Sequence, residues 1–217
     1  VRYVALARLA QQHGVSQVLL AQHADDQVET LLLALSRGAG LPGLSAMPAQ
    51  FTRHGTSFLR PLLQVHSLAI RQWLTDAGVA WVEDPSNANT AYTRNHIRLA
   101  LLPALARVFP QFRETFARSA RHAAQAQNLL TEVAEQDMAA VGTPPQIKAL
   151  QQLSHARQAN LLRHWLKVVY GVAPSTAQLV ELQRQVAACT TRGHAMHIKG
   201  GAGQGRRGGA GLGWYNC

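Results

Sequence analysis

The stretch Gln22 to Thr30, QHADDQVET, gathers His23, Asp25, Asp26 and Glu29 within seven positions. It holds three of the 11 Asp and Glu residues of a 217-residue chain whose net charge is +10. On a helix, Asp26 and Glu29 are three apart and Asp25 and Glu29 four apart, so they share a face. Carboxylates so placed can hold Mg²⁺ through water, or one can hold the ammonium of a cationic substrate. They can also simply complement a helix N-terminus, worth roughly 0.3–1 kcal/mol each. Two acids suffice for that, and a histidine with three acids exceeds the need. Spacing alone leaves site and helix cap level.

A second polar cluster is EDPSNANTAYTRNHIR, with Glu83, Asp84, Asn87, Arg94, Asn95 and Arg98. Arg94 and Arg98 are four apart, so on one helix both can point at one phosphate-rich ligand. The plainer reading is an Asp-Pro turn followed by a solvated helix face.

The elements that must carry these residues follow from periodicity. VRYVALARLAQQHG reads as a helix stopped at Gly14, and SQVLLA as a short buried strand. His23 thus falls just after a strand, where open α/β sheets bind ligands. ADDQVETLLLALSRGAG reads as the next helix, and this rhythm marks an α/β fold with a parallel sheet. LPGLSAMPAQ reads as loop, TSFLRPLL as extended chain, HSLAIRQWLTDAG as helix, VAWV as a strand entering the polar loop, and AYTRNHIRLALLPAL as helix. After Pro110 the chain becomes Ala- and Gln-rich and all-helical, broken at Gly142-Thr143-Pro144-Pro145. Residues 1–106 are expected to form the α/β portion, 107–199 a helical domain, and 200–217 a Gly-rich flexible tail, with HAMHIK a candidate strand before it. Trp73, Trp81 and Trp165 sit in apolar patterns and are expected in the core. His194 and His197 are three apart, with no third ligand near enough for zinc.

A pI near 10.8 favours a polyanionic partner, most simply nucleic acid. No apolar run approaches the roughly 20 residues of a membrane span, and Cys189 and Cys217 make no disulfide framework. A cytoplasmic protein without membrane partners is expected. The chain opens at Val1, already inside a helix, and is expected to be incomplete at that end.

AQHADDQVETLLLALSRGAGLPGLSAMP, then RPLL, then EDPSNANTAYTRNHIR, in this order, resemble the tRNA(Ile)-lysidine synthases of the PP-loop ATP pyrophosphatase family. The likeness covers most of Val1 to Pro103; RQANLLRHWL and STAQLVELQRQV match the family's tRNA-binding region more weakly. It implies an incomplete PP-loop, Rossmann-like domain followed by a mostly α-helical one. It implies a ligase that uses ATP and Mg²⁺ to adenylate the wobble cytidine of a tRNA(Ile) with a CAU anticodon. The amine of L-lysine then displaces AMP to give lysidine. Carried over by motif, Asp25, Asp26, Glu29 and Arg94 are catalytic, with Asp26 and Glu29 on Mg²⁺. His23, Arg37, Asp84, Asn87, Asn95 and Arg98 bind substrate or nucleotide. A homodimer is kept open.

The sequence departs from the family in two places. Gln22 stands at the first histidine of the family's HHxDD pattern. The Ser-Gly-Gly-x-Asp-Ser phosphate loop would lie upstream of Val1, so the chain as it stands is expected not to bind ATP productively. GGAGQGRRGGAG follows no strand and opens no helix, so it is a poor substitute. A tRNA-thiolation enzyme would want cysteines near the acids, which are not there. A non-catalytic tRNA- or RNA-binding module, using the basic helices from Arg113 and Arg157, is the alternative.

Overall fold

A computed structural model describes residues 2–189, 195–198 and 212–215. The chain divides into two compact units, Val1–Gln127 and Asn128–Cys217.

In the first unit, α1 (Arg2–Gln12) leads into β1 (Gln17–Leu19), and α2 (Ala24–Ser36) into the short α3 (Leu41–Leu44). Strands β2 (Gln50–Arg53) and β3 (Thr56–Leu59) follow, then α4 (Ser67–Asp76). The sheet order is β1-β3-β2; β1 runs parallel to β3, with Val18 opposite Phe58, and β2 antiparallel to β3, with Phe51 opposite Phe58. The sheet is therefore mixed, and one of its two pairings, β1 with β3, is the parallel one an α/β fold requires. His54 and Gly55 both take positive φ, 53° and 75°, which gives the β2–β3 hairpin a two-residue turn matched to strand twist. Buried Ala7, Leu20 and Phe58 form one core cluster, with Tyr3 and Phe51 packed against it.

Beyond α4, a 3₁₀ turn (Pro85–Ala88), α5 (Thr93–His96), a π-helical turn (Ile97–Leu101) and α6 (Leu102–Val108) bring the second polar cluster back to α2. Val28 of α2, Leu102 of α6 and Phe112 of α7 (Phe112–Val141) form the core that holds them there.

In the second unit the C-terminal part of α7 is followed by α8 (Ile147–Gln151), α9 (His155–Tyr170) and α10 (Thr176–Ala188). Ser154 caps α9 by accepting from the Arg157 N–H, and Ser175 with Gln178 forms a reciprocal capping box on α10. The apolar faces of these helices meet in Ile147, Leu150, Leu161, Leu162, Trp165, Leu166, Leu179 and Leu182. Beneath them, the buried Asp137 accepts two hydrogen bonds from Arg157. β4 (Ala195–Ile198) and β5 (Leu212–Tyr215) pair antiparallel.

Several sequence expectations need correction. LPGLSAMPAQ is not all loop: Pro42 sits in the first turn of α3, where its missing N–H costs nothing, and Gln50 opens β2. VAWV forms no strand; it finds no partner in the sheet, and Val82 is 95% exposed. Trp73 (65% exposed) and Trp81 (44%) lie outside the core, whereas Trp165 is buried as expected. Periodicity identified an apolar face on α4 but not whether anything covers it. HAMHIK does contain a strand, and its partner β5 lies inside the stretch read as a flexible tail. Backbone pairing there does not depend on the apolar side chains whose scarcity argued for disorder. The rest of that tail, and His194 ahead of it, lie outside the described residues.

Candidate active site

The site grows from the junction of β1 and α2. β1 ends at Leu19 and the chain turns so that His23 becomes the N-cap of α2. The Asp26 carboxylate accepts from the His23 backbone N–H at 3.0 Å. Asp26 therefore does the capping work that the sequence left as a rival reading. Asp25 and Glu29 are not spent on it. Both are buried, Glu29 completely.

Three arginines from downstream elements neutralise these acids. Arg98, from the π-helical turn, grips Glu29 with both arms: Nε donates to Oε1 at 2.7 Å and Nη2 to Oε2 at 3.1 Å. The same Nη2 reaches Asp26 Oδ1 at 3.0 Å. Arg94 stands 3.5 Å from Glu29 Oε2 and donates to the Thr30 hydroxyl at 3.3 Å. Arg113, from the first turn of α7, donates from Nε to Asp25 Oδ1 at 2.5 Å, and the Ser67 N–H donates to Asp25 Oδ2 at 3.1 Å. Three carboxylates thus face three guanidiniums, and the cluster is close to neutral.

Burial by itself pushes Asp25, Glu29 and Arg98 toward their neutral forms. At Asp25 the opposing hydrogen bonds from Ser67 and Arg113 prevail, and its pKa falls below the ordinary value. At Glu29 burial prevails over Arg98, and the pKa rises. Arg98 is held more firmly protonated; burial opposes this, but the hydrogen bond and charge of Glu29 outweigh it.

A cavity of about 480 Å³ opens beside the cluster, lined in part by His23, Asp25, Arg71, Arg98 and Arg113. His23 Nδ1 is buried without a hydrogen-bond partner, 3.8 Å from Asp25 Oδ2. The cavity offers an imidazole, guanidinium edges and the Asp25 carboxylate, a lining suited chiefly to an anionic group.

The remaining residues of the second motif build its loop. Asp84 accepts from the Ser86 N–H at 2.8 Å, which depresses its pKa. Asn95 donates to the carbonyls of Ser86 and Asn89 at 2.8 and 2.9 Å. Asn87 contributes its backbone N–H to the Asp84 carbonyl. Arg37 is not part of the cluster: it caps the C-terminal end of α2, eight residues beyond Glu29, about 12 Å along the axis. Its place near the acids in sequence does not survive the rise of the helix.

Two basic residues escaped the sequence reading of this site. Arg113 looked like part of a basic helix face; nothing local ties it to a residue 88 positions earlier. Arg60 is buried at the end of β3 and bonds Gln22 Oε1, the Pro48 carbonyl and the Tyr3 hydroxyl. RPLL was part of the motif pattern, and that was the only signal.

A PP-loop domain model matches residues 1–105, and a TilS substrate binding domain model matches residues 146–208. The tRNA(Ile)-lysidine synthase of Polaromonas naphthalenivorans (strain CJ2) is 65% identical over 198 residues, covering 91% of this chain and 60% of that relative. The chain belongs to the tRNA(Ile)-lysidine synthase family. The Bordetella pertussis tRNA(Ile)-lysidine synthase is 42% identical over 210 residues, 91% of this chain and 64% of its own. That of Burkholderia pseudomallei is 40% identical over 203 residues, 91% of this chain and 41% of its own. The chain thus spans under two thirds of the length of these family members. The family's PP-loop domain is an ATP-using one, consistent with the α/β class of the first unit. No described helix is long and apolar enough to cross a membrane.

The Mg²⁺ expected on Asp26 and Glu29 does not fit the residues as they stand. Both oxygens of Glu29 and Oδ1 of Asp26 are occupied by Arg98, and Asp26 Oδ2 by the His23 N–H. Among the described residues no three His, Cys, Asp or Glu side chains are grouped to hold a metal ion. Mg²⁺ demands near-octahedral oxygen ligation, which these carboxylates do not offer while the Arg98 guanidinium holds them.

Proposed function

We propose that this chain is part of a ligase that joins L-lysine to the wobble cytidine of a tRNA(Ile) with a CAU anticodon, and that it supplies the acidic cluster of the site. In the first step the cytidine C2 oxygen attacks the α-phosphorus of ATP and pyrophosphate leaves. In the second, the ε-amine of lysine attacks C2, loses a proton, and AMP leaves with the C2 oxygen. The observation that carries the reading is the cluster of Asp26 and Glu29 against Arg94 and Arg98, with Asp25 against Arg113, at the carboxyl end of β1.

Roles follow from position. Asp26 and Glu29 handle the lysine. Arg94, half-exposed beside them, presents a guanidinium to the phosphates, where charge develops as pyrophosphate and AMP depart. His23 offers its unpartnered Nδ1 to the nucleotide or the base. Asp25, fully engaged by Arg113 and Ser67, holds the frame rather than the substrate. Asp84, Asn87 and Asn95 shape the loop ahead of the arginines. Mg²⁺ is assigned to the triphosphate and not to a protein cage. Residues 107–199 are assigned to the tRNA, which the +10 charge favours. Cytoplasmic residence follows from that substrate.

The test uses the full-length protein with ATP, L-lysine and a tRNA(Ile) CAU transcript, and reads lysidine by nucleoside mass spectrometry. Lysidine formation that Asp26→Asn and Glu29→Gln abolish supports the reading. Lysidine formation unchanged in both variants removes the site assignment, and none in the unmodified protein removes the function.

A further inference from the structure

We propose that Arg98 is a resident counter-ion occupying the seat of the substrate ammonium, and that lysine enters by exchanging with it. The inference rests on the proposed function and adds what the site must do to admit its substrate.

Glu29 is completely buried, and both of its oxygens accept from Arg98 at 2.7 and 3.1 Å. Asp26 Oδ1 accepts from the same guanidinium at 3.0 Å. A buried Glu29 carboxylate with the partly exposed Asp26 beside it is unfavourable without cations, and the resting protein supplies them. The two carboxylates carry two charges, and Arg98 together with Arg94, 3.5 Å from Glu29, balances both. An ammonium placed on Asp26 and Glu29 while Arg98 remained would bring a third cation onto two carboxylates already balanced. Lysine and Arg98 are therefore alternatives at these oxygens. Exchange keeps the charge balance: one cation arrives and one leaves.

Arg98 is built to leave. Its side chain is 31% exposed, whereas Glu29 is fully enclosed. It is carried on the π-helical turn Ile97–Leu101, a rare arrangement found frequently at functional sites. It already lines the 480 Å³ cavity. Released from Glu29, its guanidinium turns into that cavity, toward the phosphates whose charge grows as AMP departs. Arrival of the nucleophile thus arms the site for the leaving group.

The test compares the KM for L-lysine of the full-length protein with that of Arg98→Met, at pH 8 with saturating ATP and tRNA. Exchange requires the variant's KM for lysine to fall at least threefold while kcat falls, since the competing cation is gone and so is its help to the leaving group. An unchanged or raised KM overturns the proposal. Absence of lysidine from the unmodified protein would instead reject the function on which it rests. If Arg98→Met does not fold, hydrogen–deuterium exchange on the unmodified protein decides. With a non-hydrolysable ATP analogue present, L-lysine must speed exchange across Ile97–Leu101 and norleucine, which lacks the side-chain ammonium, must not. Equal exchange with both overturns the proposal.

Discussion

Arg113 donates from its Nε to Asp25 Oδ1 at 2.5 Å, joining residues 88 positions apart in sequence. The bond fastens the first turn of α7 to the first turn of α2, beside a Ser67 N–H that donates to the other Asp25 oxygen. It gives the site a fixed wall that uses no substrate-handling group.

Breaking that wall has a definite pH signature. Asp25→Asn leaves Arg113 partly buried without its counter-charge and is predicted to cost about 3 kcal/mol at pH 7. Burial raises the Asp25 pKa, but the Ser67 and Arg113 hydrogen bonds outweigh it, so the folded value lies below the ordinary 3.8. A depressed carboxyl contributes its stability in full above the unfolded value and loses it as pH falls through the folded one. Denaturant unfolding should show a constant gap between unmodified protein and variant from pH 5 to 7. The gap should close below about pH 4.

Glu29 has the opposite sign. Burial raises its pKa above the ordinary 4.5 in spite of Arg98. The folded state then holds the Glu29 proton more tightly than the unfolded state does. Its contribution is most favourable at low pH and declines as pH rises through the folded value. Glu29→Gln, which carries no such proton, should therefore gain stability relative to the unmodified protein as pH rises from 4 to 7. Lysidine formation should meanwhile fall by at least about a hundredfold. Parallel pH series of unfolding and of kcat/KM separate the two effects.

The loop before the arginines depends on one amide. Asn95→Ala removes two hydrogen bonds, to the carbonyls of Ser86 and Asn89, worth about 1 kcal/mol each. Faster hydrogen exchange confined to residues 85–92, with the KM for ATP raised several-fold, is the expected result.

Gly171 ends α9 in the left-handed region at φ 66°, where its N–H reaches the Lys167 carbonyl. An added Cβ would meet nothing within 4 Å, so Gly171→Ala carries only the backbone penalty of about 1–2 kcal/mol. Trp165→Ala, by contrast, hollows the centre of the helical core and should cost about 3–5 kcal/mol. Thermal melts that rank the two variants in this order check the packing of the second unit.

The sequence by itself determined which local elements form and where the polar groups sit on them. The spacing of Asp25, Asp26 and Glu29, the strand before His23, and the apolar face of α9 are facts of periodicity, which acts over a few residues. It also determined that Arg94 and Arg98 share a face, because four residues are about one helical turn. Only the tertiary structure decided what these groups meet. It assigned Asp26 to the cap, Asp25 to Arg113, and Glu29 to Arg98 across 69 positions. It left Trp73 and Trp81 exposed and carried Arg37 away from the acids. The physical reason is that burial and charge pairing are set by which surfaces close on one another. A run of carboxylates is the same string whether it awaits a metal, a substrate ammonium or the protein's own arginines.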